Sequence, residues 1–471
     1  MGCGRSLLWS PPGLQFLYTR KQLLTIHSAW SNDLFLFAFD IVPPQRSSQS
    51  NAMNKIQKIK GFSDIFSPRS DSYTFLEGKA RDTFRRYGFE ELRVPLVEKT
   101  ELFARSIGTE TDIVQKEMFT FPDRKGRSLS LRPEATAGVA RAYIENKIYS
   151  SQDVSKLYTV GPMFRYERPQ KGRQRQFQQI NAEILGSTAP ETDAELLLML
   201  TAFLREAGFQ KLSLELNSLG CPQCRPNFLK AVSEYLAGQD EQALCSDCRR
   251  RSRTNPLRVY DCKIDSCREQ IKNGPVLSDH LCPDCQEHFQ TVKRLLKLAD
   301  VPYRTNPNLV RGLDYYQRTT FEVLSEDIGA QSAVAGGGRY DGLLKDLGGP
   351  DLPGIGFACG MERLLMILGE VSESGSDFFI APLSPLAQEQ GLLLACKLRA
   401  HGLCGDVAFE GKSLKSQLRQ ANKQQAAICL ILGEAELARS TVLLKDMASG
   451  LQSEIRQEDL VDAVLQSKQR I

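Results

Sequence analysis

What this sequence lacks narrows the field first. No apolar run approaches the roughly 18 residues that a membrane-spanning helix needs. The longest candidate, Leu34 to Phe39, falls far short, and no membrane partner is expected. Neither sign of charge dominates: 60 Lys and Arg oppose 56 Asp and Glu, for a net charge of +4. No global basic field therefore announces a nucleic acid, and any RNA contact must rest on local Lys/Arg clusters. A secretory signal is also missing, so the 13 cysteines do not read as a disulfide scaffold, and the compartment reads as cytoplasmic and reducing. The rest is ordinary for a globular protein: 41% hydrophobic and 25% charged residues over 471 positions, enough for a substantial core and about two to four domains.

Residues 1–52 differ in composition from the rest of the chain. Trp9, Trp30 and the Ser/Gln/Pro-rich stretch Pro43 to Ser50 lie there, a composition that suits a linker or a disordered extension. The segment reads either as a targeting peptide or, preferably, as upstream sequence ahead of a functional start at Met53, where the pattern IQKIKGFSDIF begins. From Ser70, the spacing of Tyr73, Leu76, Ala80 and Phe84 predicts a helix capped by Ser70 or Asp71 and ended by Gly88. Phe89 to Val97 reads as a strand with Pro95 near its end. Lys156 to Tyr166 and Gln176 to Leu185 form a long hairpin around the polar loop Glu167 to Arg175. Strands are expected at Leu212 to Leu219, Tyr315 to Leu324 and Ser332 to Ala335, the last followed by glycines, and a helix at Met361 to Leu368. Residues 221–300 form a Cys-rich, largely helical insertion. Residues 377–471 alternate strand and helix (Phe378 to Ala381, Leu386 to His401, Ser413 to Gln424, Ala427 to Leu432, Thr441 to Lys445), which suggests a small separate α/β domain.

Several stretches carry chemistry. On the second hairpin strand, Phe177, Gln179, Asn181 and Glu183 share one face, while Ile180, Ala182 and Ile184 share the other. A polar acidic face is ordinarily solvated. Here it adjoins Arg165, Glu167 and the cationic loop of Arg168, Lys171, Arg173 and Arg175, a pairing that suits a site for both phosphate and amine. In LRPEATAG, Glu134 and Thr136 precede a helix; they either cap it or point an acid and a hydroxyl into a cleft. VRGLDYYQRTT sets two tyrosines and Arg311 around a turn. AGGGRYDGL lets backbone approach a ligand closely. GIGFACGMERLL has the wrong glycine spacing for a dinucleotide fingerprint and reads better as a strand entering a helix that carries Arg363.

In this order, the elements resemble the class II aminoacyl-tRNA synthetases: a motif 1 helix and strand ending near Pro95, a motif 2 hairpin with FRYERPQKGRQRQF, and a motif 3 strand and helix with GMERL. RGLDYYQRTTFEV and AGGGRYDGL narrow the resemblance to the histidyl-tRNA synthetase family over about residues 55–465, and the class I signatures HIGH and KMSKS are absent. The resemblance implies an α+β catalytic domain over 53–370, with an antiparallel sheet flanked by helices and the helical Cys-rich insertion inside it, and a C-terminal α/β anticodon-binding domain over 377–471. It implies a homodimer with motif 1 at the interface, and L-histidine, ATP with Mg²⁺ and tRNA(His) as substrates. Arg165, Arg311 and Arg363 are then the catalytic cations: Arg165 and Arg311 at the α-phosphate, Arg363 at the far phosphates or the adenine, with Glu167 completing the ATP site. Glu134, Thr136, Gln179, Glu183, Tyr315, Tyr316 and Tyr340 form the histidine pocket. Arg168, Gln170, Lys171 and Arg173 reach the tRNA acceptor end. In the last domain, Lys412, Lys415, Arg419 and Lys423 are placed on one helix face at spacings of three and four, either solvated or touching RNA.

Eight cysteines lie in the insertion. Cys221 and Cys224, Cys245 and Cys248, and Cys282 and Cys285 are spaced C-x-x-C, and Cys262 and Cys267 make a looser pair. The spacing suits structural zinc at two tetrahedral sites, or at one with bystanders; otherwise these are free thiols packed as small hydrophobes. A rival reading is a catalytically dead regulatory paralogue of the synthetase. Such proteins typically lack the C-terminal domain and lose substrate-contacting residues, whereas residues 377–471 and both histidine-specific peptides are present here. A synthetase for proline or threonine is disfavoured by RGLDYYQRT.

Overall fold

A computed structural model describes residues 55–109, 111–328, 333–371 and 375–468. The extension 1–52, the start at Met53 and Ser332 of an expected strand lie outside the described residues. The chain divides at Gln57/Lys58, and among the described residues the strands and helices belong to the unit from Lys58 onward.

Its strands are β1 (Glu90–Glu91), β2 (Val97–Lys99), β3 (Thr120–Pro122), β4 (Ser128–Leu131), β5 (Ser155–Phe164), β6 (Gln176–Leu185), β7 (Leu212–Ser218), β8 (Tyr303–Thr305), β9 (Gln317–Ser325), β10 (Ala333–Arg339) and β11 (Gly354–Gly360). An eight-stranded sheet runs β1-β5-β6-β11-β10-β9-β7-β8. Its six central strands are antiparallel, as expected, and β1 and β8 join parallel at the edges. A small sheet, β2-β4-β3, stands apart from it.

Helices α1 (Arg69–Arg86), α2 (Thr100–Ile107), α3 (Thr136–Glu145), α4 (Pro190–Glu206), α5 (Arg225–Ala237), α6 (Ser246–Thr254), α7 (Asp265–Ile271), α8 (Pro283–Leu298), α9 (Leu343–Asp346) and α10 (Met361–Leu368) complete this part. One buried cluster joins Leu76 and Phe84 of α1, Leu197 and Phe203 of α4, Val292 of α8 and Leu364 of α10 to Ile180, Ala182 and Ile184 of β6 and Phe357 of β11. Because side chains alternate along a strand, this apolar coverage of one sheet face commits Gln179, Asn181 and Glu183 to the other. Among the described residues, no helix is long and apolar enough to cross a membrane.

Three local expectations change. The first helix begins at Arg69, so Ser70 and Asp71 lie in its first turn, where Asp71 Oδ2 accepts from Ser67 Oγ at 2.7 Å rather than capping the backbone. Phe89 to Val97 is not one strand. Glu90 and Glu91 pair with β5, and the chain then passes Pro95, which has no N–H for a ladder, and joins the small sheet as β2. The strand expected to stop at Ala335 continues through Gly336, Gly337 and Gly338 to Arg339.

The last domain holds β12 (Phe378–Pro382), α11 (Pro385–Ala400), β13 (Gly405–Val407), α12 (Leu414–Lys423), β14 (Ile428–Leu432), α13 (Glu434–Ala438), β15 (Thr441–Asp446), β16 (Gln452–Arg456) and α14 (Leu460–Lys468). Its sheet, β13-β12-β14-β15-β16, is buried on both faces along β14, which explains the uninterrupted apolar run ICLIL. Lys412 precedes α12 and pairs with Glu410, so only Lys415, Arg419 and Lys423 line up along the exposed side of the helix.

Candidate active site

The polar face of the large sheet opens into a cavity of about 250 Å³. Arg165, Arg311 and Arg363 all line it, although they come from the end of β5, the loop before β9 and the first turn of α10. Arg165 Nε donates to Pro133 O at 2.9 Å, and its guanidinium lies 5.5 Å from the centre of the Phe177 ring. Arg363 Nη1 donates to Ala333 O at 2.5 Å. Burial lowers the Arg363 pKa, and the positive charge of Arg173 lowers it further.

Arg311 pairs with Glu322 and lies 5.9 Å from the Tyr316 ring centre. Room for it comes from Gly336, where any Cβ would collide with the guanidinium. Two buried polar atoms at this cavity, Arg311 Nε and Gln179 Oε1, have no hydrogen-bond partner. One is a donor and the other an acceptor, and buried polar atoms are normally satisfied. Both therefore suit a ligand that offers an oxygen to the arginine and an N–H to the amide.

The acidic end is built from α3 and β6. Glu134 accepts from Thr136 N at 2.6 Å and Ala137 N at 3.0 Å. It caps α3 and lines the cavity at once, so both readings open from sequence hold together. Thr136 Oγ1 donates to Glu183 Oε1 at 2.6 Å, and Tyr340 Oη donates to Glu183 Oε2. Glu183 and Tyr340 lie beneath the cavity floor and do not line it; Thr136 connects them to it. Glu183 has space only because residue 356 is glycine, since a Cβ there would overlap its carboxylate. Burial pushes the Glu183 carboxyl up to about 8, against the lowering effect of its two hydroxyl donors. Burial also raises Glu134, although its backbone hydrogen bonds oppose the shift. Tyr315 and Tyr316 line the cavity with ring centres 4.6 Å apart, and burial raises both phenols.

Glu167 lines the cavity and accepts from Arg173 Nη1 at 2.8 Å. Arg173, expected at the tRNA acceptor end, thus also lines the cavity. A tight turn closes the loop, with Gln170 N to Arg173 O at 3.1 Å and Arg173 N to Gln170 O at 2.9 Å. Gly172 supplies the positive φ that this turn needs, and Arg168, Gln170 and Lys171 are left exposed.

Sequence reasoning missed Glu322, the partner of Arg311. Its signal is a lone acid between Phe321 and Val323 in β9. It also missed Glu362, which lines the cavity and accepts from Gln178 N at 2.9 Å and from Tyr73 Oη at 3.2 Å. A third omission is a buried network that anchors β10 beside Tyr340. Asp193 of α4 accepts from Arg339 Nε at 3.0 Å and from His288 Nε2 at 2.8 Å.

The eight insertion cysteines form two groups: Cys221, Cys224, Cys282 and Cys285, and Cys245, Cys248, Cys262 and Cys267, with the sulfurs of each group within 4.8 Å of one another. Cys221 Sγ lies 3.7 Å from Cys224 Sγ and 3.9 Å from Cys282 Sγ; Cys245 and Cys262 Sγ are 4.0 Å apart. Four thiolates held tetrahedrally at about 2.3 Å from zinc stand about 3.8 Å apart. A disulfide requires about 2.05 Å. The spacing fits the metal and not the covalent bond.

Comparison with known proteins agrees with this architecture. The family model for histidyl-tRNA synthetase matches residues 61–364, and that for the anticodon-binding domain matches residues 377–467. The solved apo histidyl-tRNA synthetase of S. aureus superposes with a TM-score of 0.74 at 33% identity, covering 87% of this chain and 100% of that one. Fold and site together define a class II aminoacyl-tRNA synthetase. A histidine–tRNA ligase of Nitratidesulfovibrio vulgaris strain DP4 is 59% identical over 413 residues, 88% of this chain and 99% of that protein. That of Maridesulfovibrio salexigens is 59% identical over 408 residues, 86% and 99% of the two chains. The chain belongs to the histidyl-tRNA synthetase family.

Proposed function

We propose that the chain is a histidine–tRNA ligase, activating L-histidine with ATP and esterifying it to the 3′-terminal ribose of tRNA(His). The observation that carries this reading is the convergence of three guanidiniums on one cavity whose other end offers Glu134, Thr136 and Gln179. A histidine carboxylate oxygen attacks the α-phosphorus of ATP, the bond to the β-phosphate bridging oxygen breaks, and pyrophosphate leaves. Negative charge builds on the phosphate oxygens, where the planar forks of Arg165 and Arg311 are suited to stabilise it. Arg363 neutralises the distal phosphates or stacks on adenine, and Mg²⁺ arrives with the nucleotide. The acid and amide groups receive the ammonium and imidazole N–H, and would be left unpaired by an amino acid that lacks them. The ribose hydroxyl then displaces AMP from the adenylate. No enzyme nucleophile is required.

Exposed Arg168, Gln170 and Lys171 are suited to the acceptor stem, and Lys415, Arg419 and Lys423 to the anticodon arm. A cytoplasmic homodimer is part of this reading; Leu96 and Val97, exposed where motif 1 ends, suit the dimer contact. Zinc in the cysteine groups is part of it too. Amino-acid-dependent ATP–pyrophosphate exchange tests the whole: histidine should drive exchange, and exchange that is indifferent to histidine overturns it.

A further inference from the structure

We propose that the insertion is a two-zinc clamp that holds the histidine loop 311–316 in place, with Arg258 and Arg225 as positioning residues for histidine activation; this rests on the ligase reading. The first cysteine group joins the start of the insertion to the start of α8, because Cys221 and Cys224 meet Cys282 and Cys285. The second lies wholly inside it. The helices between them are short, at 13, 9 and 7 residues, and such a module gains much of its stability from bound metal. Its apolar residues, Phe228, Val232 and Val259 among them, belong to the same buried cluster as Tyr315, Tyr316 and Tyr340. Anything that loosens the module therefore loosens the wall of the histidine pocket.

The polar grip is more specific. Arg258 lies between Cys248 and Cys262, and its guanidinium donates to three acceptors on the loop: Nε to Asp314 Oδ1 at 3.1 Å, Nη1 to Arg311 O at 2.9 Å and Nη2 to Gly312 O at 2.6 Å. Arg225, the residue after Cys224, donates from Nη2 to Tyr316 O. One arginine thus fixes the backbone at and after the catalytic Arg311, and the other fixes the pocket tyrosine. Neither side chain lines the active-site cavity, so both act through the loop.

The test uses the full chain purified without chelator. Elemental analysis should find about two zinc ions per chain, and Cys248→Ser and Cys285→Ser should each lower that to about one. Arg258→Lys keeps the charge but not the three-way fork. It should retain both zinc ions while raising KM for histidine about tenfold and, by releasing the backbone of Arg311, lowering kcat for pyrophosphate exchange about tenfold. Arg225→Lys should do the same and serves if the first variant does not fold. Less than about half a zinc per chain, with all eight thiols open to a thiol reagent in the native protein, overturns the clamp. So does iron in place of zinc, or two zinc ions with an unchanged histidine KM in both variants. A wild-type chain that holds two zinc ions but exchanges no pyrophosphate with histidine overturns the ligase reading instead.

Discussion

Replacing Gly336 by alanine should separate activity from stability. Gly336 sits in β10 directly opposite Glu322, the partner of Arg311. A Cβ at this position would stand 2.5 Å from Arg311 Nη1, 2.6 Å from Nη2 and 2.7 Å from Cζ. Favourable non-bonded contact begins near about 3.5 Å, so the guanidinium must retreat by about 1 Å. The backbone need not move, because Gly336 lies outside the left-handed region and alanine is, if anything, the better strand residue by about 0.5–1 kcal/mol. A misplacement of about 1 Å in a catalytic group costs about 100-fold in rate, equivalent to about 2.7 kcal/mol of transition-state stabilisation. Histidine-dependent pyrophosphate exchange should therefore lose about 100-fold in kcat, while the thermal midpoint stays at or slightly above wild type. A folded Gly336→Ala variant within about threefold of wild-type kcat would refute the placement of Arg311 over this strand.

Asp193→Ala removes the buried counter-charge of Arg339, leaving it the partly exposed Asp341 at 3.0 Å, and should cost about 3 kcal/mol in thermal unfolding. Burial raises Asp193, but the hydrogen bond from His288 and the Arg339 charge outweigh it and hold the carboxyl below its ordinary 3.8. Its contribution is present above that value and is lost as pH falls through the native one, so the destabilisation should shrink as pH falls below about 3.8; a destabilisation unchanged there would count against the pairing. Glu183 behaves in the opposite sense. Its native pKa is raised from 4.5 to about 8, so stability present below 4.5 is lost as pH rises toward about 8. The thermal midpoint of wild type should fall relative to Glu183→Gln across that window and run parallel above it; parallel curves throughout would refute the shift. Lys415→Glu together with Arg419→Glu should raise KM for tRNA and reduce its salt dependence, without changing pyrophosphate exchange. An unchanged tRNA KM would remove α12 from the RNA interface.

How much of the fold and site could be read from residues alone depended on the range of the interactions. The second hairpin strand, Gln176 to Leu185, and the helix Met361 to Leu368 match their expected bounds, because alternation and helical spacing are local signals. Pro95 marked trouble in Phe89 to Val97, but nothing local says that a chain will leave one sheet for another. Lys412 has the right spacing for the α12 face and the wrong backbone, since the helix starts only at Leu414. The pairing of the cysteines was not legible either, because spacing names ligands without saying which pairs meet. The partnerships of Arg311 with Glu322 and of Arg339 with Asp193 depend on tertiary contact, with Asp193 lying 146 positions from Arg339. Glu183 was expected at the substrate surface. Strand parity gave its side of the sheet but not its depth, which the glycine at 356 decides.

The hairpin of β5 and β6 acts as a ruler. Its backbone fixes the gap between the cation at the end of one strand and the amide and acid of the other, in steps of about 3.4 Å per residue. Deleting a single residue within β6 would turn Gln179 and Glu183 inward toward the helices and bring isoleucines out to meet the substrate. The connecting loop, residues 167–175, is divided: Glu167, Gly172 and Arg173 line the cavity, while Arg168, Gln170 and Lys171 are exposed. Substitutions at those exposed positions therefore leave the spacing along the hairpin unchanged.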